Sequence, residues 1–139
     1  MGKAVAAKGA KGKGDPGDAP EQPTVNLAVV LGPCSSAPDI RELESGRRIA
    51  SISVRVHGTG AQATSVPVTV WDPPAWIEEL EEGDPVVVVG CVRRRFFQSA
   101  AGFRGAKSEV EAKVIGRAHD RRKLAAALRH ADRELELLA

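Results

Sequence analysis

The sequence predicts an all-β protein: five strands, one short helix between the third and the fourth, and a further helix at the C-terminal end. Three observations carry that prediction. Between Thr24 and Gly116 the apolar residues come in short, valine-rich runs, several alternating strictly with polar residues, which is the period of a half-buried strand. Glycines and prolines break those runs where turns are needed. A long apolar stripe at helical spacing begins only after residue 120.

Residues 1–23 are mostly Gly, Ala, Lys and Pro. With almost no large apolar side chain to bury, such a segment cannot offset its ordering entropy, and a flexible tail is expected. Lys3, Lys8, Lys11 and Lys13 precede Asp15, Asp18 and Glu21, so the tail reads either as a basic arm with an acidic spacer or as an ordinary linker. Residues 24–118 carry the strands. Val25 to Leu31 is the first and stops at Gly32-Pro33; the polar stretch from Ser35 to Gly46 reads as a connection. Ala50, Ile52, Val54 and Val56 alternate with Ser51, Ser53 and Arg55, a second strand with one wet face. Val66, Val68 and Val70 alternate with Pro67, Thr69 and Trp71 in a third, where the proline suggests an edge or a bulge. Asp72-Pro73-Pro74 then looks like an acid cap and first-turn prolines opening a helix over 74–82, with Trp76, Ile77 and Leu80 turned inward and Gly83 as its stop. Val86 to Val92 is the fourth strand and runs on into Arg93-Arg94-Arg95-Phe96-Phe97. A glycine-containing tip leads to the fifth, near Ala106 to Gly116, with Val110, Ala112 and Val114 inward and Glu109, Glu111 and Lys113 outward. In residues 119–139, Leu124, Leu128, Ala131, Leu135 and Leu138 form a stripe that wants a partner, a second subunit slightly before the chain's own barrel. Five strands with a helix between the third and fourth is the layout of the five-stranded oligonucleotide-binding barrel, the OB-fold.

Several function classes drop out. Lys and Arg number 20 against 18 Asp and Glu, a formal charge of +2, so bulk positive charge is not the basis of any binding. No apolar run of membrane-spanning length and no signal-peptide centre is present, which leads us to expect no membrane association and a cytoplasmic protein. Cys34 and Cys91 form no CxxC pair and read as buried thiols; His57, His119 and His130 have neither metal spacing nor a nucleophile beside them. No phosphate-cradling or metalloprotease motif occurs. The expectation is no catalytic residue, no metal, no cofactor and no enzyme.

The informative residues are the few rings and the arginines near them. Alternation puts Arg93, Arg95 and Phe97 on one side of their strand, a surface suited to phosphates with bases stacked beside them. Trp71 lies on a wet face by the same argument, Phe103 sits with Arg104 near the hairpin tip, and Arg55 on the second strand extends a basic track with Arg47, Arg48 and Lys107. The competing reading is a solvated hairpin whose rings pack at a subunit contact, with Trp71 covering a barrel mouth. Basic and acidic side chains balance over 24–118, so nucleic-acid binding calls for their segregation, acids on the helix and arginines on the strands, and a surface that mixes them counts against it.

Residues 24–117 also resemble the bacterial single-stranded DNA-binding protein family. Asn26 and the strand ending at Gly32 are similar to its first strand. Ala37-Pro38-Asp39-Ile40-Arg41, then Ser45-Gly46, then Ile49-Ala50-Ser51-Ile52-Ser53-Val54 are similar to its passage into the second. Gly83-Asp84-Pro85-Val86-Val87-Val88-Val89-Gly90-Cys91-Val92-Arg93 looks like its fourth. The resemblance implies that the chain coats single-stranded DNA without strong sequence preference, in replication, recombination or repair, as a nucleoid-associated homotetramer or else a dimer. It matches Trp71 and Phe97 to positions of stacking rings and Arg93 and Arg95 to positions of arginines. Departures are Ser65 where the family carries a third ring, a short ringless loop from His57 to Ala63, and an end at Glu134 to Ala139 in place of an acidic, phenylalanine-tipped tail. These imply weaker binding and set the usual tail-mediated docking in doubt. Two other functions stay open: a protein-interaction module that kept the barrel, and an RNA-binding barrel.

Overall fold

The computed structural model describes residues 22–138 apart from 59 and 61, so the tail expected over 1–23 falls almost wholly outside the described residues. Six strands form one sheet: β1 (Ala28–Pro33), β2 (Asp39–Glu42), β3 (Arg48–His57), β4 (Ala63–Trp71), β5 (Pro85–Gln98) and β6 (Arg104–Arg117), followed by helix α1 (Arg121–Glu136). Their order is β1-β5-β6-β4-β3-β2, with β4 and β6 parallel and the other neighbours antiparallel.

This corrects the five-strand expectation in two ways. The polar stretch after Ser35 contains a strand, β2, laid against β3 from Asp39 opposite Ser51 to Glu42 opposite Arg48. Its composition hid it because an edge strand needs little apolar content; Ile40 alone of its four residues packs on the core. A tight turn makes the pairing, with Leu43 N–H donating to the Arg47 carbonyl at 2.8 Å and Gly46 in the left-handed region. The sheet is also open rather than a closed barrel: β1 and β2 are its edges. Beyond β1 the chain reaches β3 through the isolated bridge Cys34–Val54 and a 2.8 Å bond from Ser35 N–H to the Ser53 carbonyl, which curls the sheet around its core without completing a ring.

That core contains Val30, Ile52, Val54, Val68, Val70, Val86, Val88 and Val110, with Ile77 and Leu80 closing one end. The predicted helix over 74–82 is a 3₁₀ turn, Ala75–Glu79, and Asp72 does not cap it. Asp72 instead adopts a left-handed backbone (φ 49°), a conformation acids tolerate better than most residues. Its carboxylate turns to Arg47. Trp76 packs against the core, with the Arg117 guanidinium 5.1 Å from its ring centre.

Strands β5 and β6 slip register between Val89 and Gly90, where Val89 faces Val114 but Gly90 faces Ala112. The slip reverses one expectation: Val110 and Ala112 pack on the core while Val114 turns to the opposite face. Gly90 permits it, because a Cβ there would run into the Glu111 carbonyl oxygen. On that opposite face, α1 covers Val87 and Val89 with Ala127 and Ala131, flanked by Leu124 and Leu27. Asp120 starts the helix by accepting from the N–H groups of Arg122 and Lys123. The helix therefore packs on its own sheet, against the slight preference for a subunit contact. Alanines sit at the closest approach, where small side chains let the backbones come together, and the stripe is split: Leu128, Leu135 and Leu138 stay exposed.

Candidate functional site

The face of β5 that α1 covers at Val87 and Val89 continues past the helix as Cys91, Arg93, Arg95 and Phe97. Cross-strand register fixes what lies beside them: Glu111 opposite Cys91, Glu109 opposite Arg93, Lys107 opposite Arg95 and Gly105 opposite Phe97. On the parallel side Thr69 of β4 pairs with Glu111, and Thr69, Pro67 and Ser65 pair with Ser51, Ser53 and Arg55 of β3. Paired residues share a face, so Trp71, Arg93, Arg95, Phe97 and Arg55 all lie on one side of the sheet.

Asn26 steadies the point where β5 leaves the core. Its side-chain amide donates to the Val92 carbonyl and accepts from Val92 N–H, both at 2.8 Å, and so imitates one more residue of a neighbouring strand. Arg93 begins immediately beyond. Its guanidinium donates to Glu111 at 2.8 Å, and that hydrogen bond raises its already high pKa, so the arginine is always charged. Arg95 approaches Glu109 at 3.8 Å. Trp71 carries the Arg47 guanidinium 4.6 Å from its ring centre, a cation–π contact. Arg47 is held there by Asp72 at 2.7 Å. The same bond keeps the Asp72 carboxyl below the usual carboxylate range.

Two shallow hollows open on this face. One, of about 120 Å³, is lined by Trp71, Arg93, Arg94, Arg95 and Glu109. The other, of about 240 Å³, has a hydroxyl-rich wall of Ser36, Ser51, Ser53 and Thr69, closed by Arg95, Lys107, Glu109 and Asp39. Trp71, Arg93 and Arg95 are thus brought together, with Arg95 shared by both hollows. Phe97 stands farther out along β5, its ring resting over Gly105, where an added Cβ would come within 2.6 Å of the ring. Phe103 belongs to the hairpin tip, its N–H bonded to Ser99 Oγ at 3.1 Å, and is exposed. Arg55 shares the face but lines neither hollow. Phe96 points to the other side with Arg94 near its ring.

The charge segregation that the composition called for is absent on this face, and this counts against strong phosphate binding there. Glu109 and Glu111 stand among the arginines and pair with them. The sequence marked both acids as outward but could not pair them with particular arginines, because cross-strand register depends on the length of the hairpin tip. The hydroxyl wall was also missed; its signal was Ser51 and Ser53 alternating with apolar residues. At Ser65, where the resemblance calls for a ring, the hydroxyl lies 2.7 Å from Ser35 Oγ. Among the described residues no helix is long and apolar enough to cross a membrane, and no three metal-ligating side chains are grouped to hold an ion.

Strand order and the turn between β4 and β5 give an OB-like fold in open, six-stranded form. Among solved structures, a deletion variant of the single-stranded DNA binding protein from Thermus aquaticus superposes with a TM-score of 0.56 at 21% identity, over 67% of this chain and 40% of that one. This likeness is one of fold. No family model matches the sequence, and no curated protein does.

Proposed function

We propose that the chain is a divergent member of the bacterial single-stranded DNA-binding family and binds single-stranded DNA on the exposed face of β5, β6 and β4. The observation that carries this reading is the register, which puts Trp71, Arg93, Arg95 and Phe97 on one uncovered side of a sheet whose fold is shared with a single-stranded DNA binding protein. Bases stack on Trp71 and Phe97, with Phe103 reaching from the tip. Stacking tolerates any sequence because every base has a π-face, and is worth about 1–3 kcal/mol per base. Arg93, Arg95 and Arg55 meet phosphates. Residues 24–118 form the binding unit and α1 braces it; the chain acts as a homo-oligomer in replication, recombination or repair, without catalysis.

The test is tryptophan fluorescence during titration with a long oligothymidylate at several salt concentrations, with duplex DNA and the matching RNA as controls. Quenching by the single strand, weakened as salt rises because bound counterions are released, is the expected result. Phe97→Ala should weaken binding by about 1–3 kcal/mol. RNA preferred over DNA would shift the reading to an RNA-binding protein. No quenching and no mobility shift at low salt would overturn nucleic-acid binding. The second reading, a protein-interaction module, would then gain from the exposed Val29 and Leu31 on edge strand β1 and from Leu128 and Leu135 on α1.

A further inference from the structure

Two of the arginines on the basic face, Arg93 and Arg95, already face a carboxylate. Arg93 holds Glu111 at 2.8 Å and Arg95 approaches Glu109 at 3.8 Å. Both acids come from β6, on the same face as the arginines, and both are more enclosed than their partners: the Glu109 side chain is 10% exposed and that of Glu111 24%, against 42% for Arg95 and 59% for Arg93. The carboxylates therefore form the floor and the guanidinium groups the rim. An anion arriving from solvent reaches the arginines first, on the side away from the acids, and feels those acids at close range. Lys107 lines the larger hollow with no ion-pair partner among the described residues.

We propose that Glu109 and Glu111 are built-in competitors of phosphate that set the affinity and the salt dependence of the face. Each holds an arginine in place before binding and repels the strand once it is bound, so the protein releases DNA more readily than its arginine count implies. The proposal rests on the single-stranded DNA reading above and specifies how that site is tuned. Its chemistry is general: a half-exposed ion pair is weak, so a phosphate can take the arginine from the glutamate, but the displaced carboxylate stays within a few ångströms and subtracts from the gain.

The test compares the full chain with Glu109→Gln/Glu111→Gln in oligothymidylate titrations from low to moderate salt. A second double variant, Glu81→Gln/Glu82→Gln, makes the same change in net charge at two exposed acids after the 3₁₀ turn that line neither hollow and form no ion pair among the described residues. The expected result is binding about three- to tenfold tighter for Glu109→Gln/Glu111→Gln, the scale of two half-exposed ion pairs. The log–log salt slope should steepen by about one to two, as further phosphates become effectively neutralised, and the control should stay within about twofold of the parent. If Glu109, the more enclosed acid, proves necessary for folding, Glu111→Gln alone should show the same direction at smaller size. Unchanged or weaker binding with an unchanged thermal midpoint would overturn the proposal, since the acids would then be positioning the arginines productively. An equal gain in the control would overturn it too, in favour of bulk charge. Failure of every folded variant to bind would overturn the underlying reading as well as the proposal, whereas a binding parent with an indifferent Glu109→Gln/Glu111→Gln variant removes the proposal alone.

Discussion

Strand β5 is two strands in one. From Val86 to Gly90 every residue is buried, the valines alternating between the main core and the underside of α1; from Val92 to Gln98 every residue is exposed. Hydrogen bonding to β6 is continuous through both halves, apart from the slip at Gly90, so the backbone does not distinguish them. What differs is cover. The first half has the core on one side and a helix on the other, and its residues are those that burial selects. The second half has no described residue covering either face and carries three arginines and two phenylalanines. Burial does not ask for those residues, so their presence there points to a role at the surface.

The difference can be broken most severely with one substitution made twice. Val88 and Val92 lie four residues apart on the same strand, and both pair with core-side residues of β6, Ile115 and Val110. Val88 is fully buried while Val92 is 46% exposed. Val88→Asp places an unpaired charge in the core and should cost more than about 4 kcal/mol, leaving a chain with no cooperative urea transition. Val92→Asp gives up part of one side chain's burial, about 1 kcal/mol, and should fold. Similar midpoints for the two variants would show that the second half is as much a part of the core as the first.

A smaller effect separates the halves through their glycines. At Gly90 an added methyl group meets the Glu111 carbonyl, which is backbone and cannot swing aside; at Gly105 it meets the outer end of the Phe97 ring, which can. Gly90→Ala should therefore lower stability by roughly 1–3 kcal/mol in denaturant titrations, as overpacking does. Gly105→Ala should leave the midpoint nearly unmoved but displace Phe97, and so reproduce part of the binding loss of Phe97→Ala. A stability loss at Gly105 equal to that at Gly90 would mean the projecting hairpin is rigid.

The same contrast explains what could be read without coordinates. The covered half of β5, the alternation in β3 and β4, and the long C-terminal helix were legible, because burial writes a period into sequence. Edge strand β2 was not, since one half-buried Ile40 among polar neighbours leaves no period to detect. Asp72 was misassigned for a different reason: an acid before two prolines resembles a helix cap, and only the approach of Arg47 from the start of β3 turns its carboxylate away. For the candidate site, alternation sufficed to put Arg93, Arg95 and Phe97 on one side. It could not show that Glu109 and Glu111 are partners on that side, because which residue faces which across a hairpin is set by the length of its tip.

The smallest expected effect is chemical and marks the boundary between the halves. Cys34 is fully buried beside β3, and burial, together with the nearby charge of Asp84, pushes its thiol pKa up. Cys91 is the first residue of β5 after Gly90 and is half-buried. A thiol reacts as the thiolate, so a raised pKa and lack of access both protect Cys34. A chromogenic disulfide reagent near neutral pH should label one thiol in the native chain and two after denaturation, and Cys91→Ser should remove the native signal while Cys34→Ser leaves it. Equal native rates for both thiols would place Cys34 at the surface. The bridge to Val54 that draws β1 towards β3 would then be open in solution, and the curl that holds the candidate face in shape would be open with it.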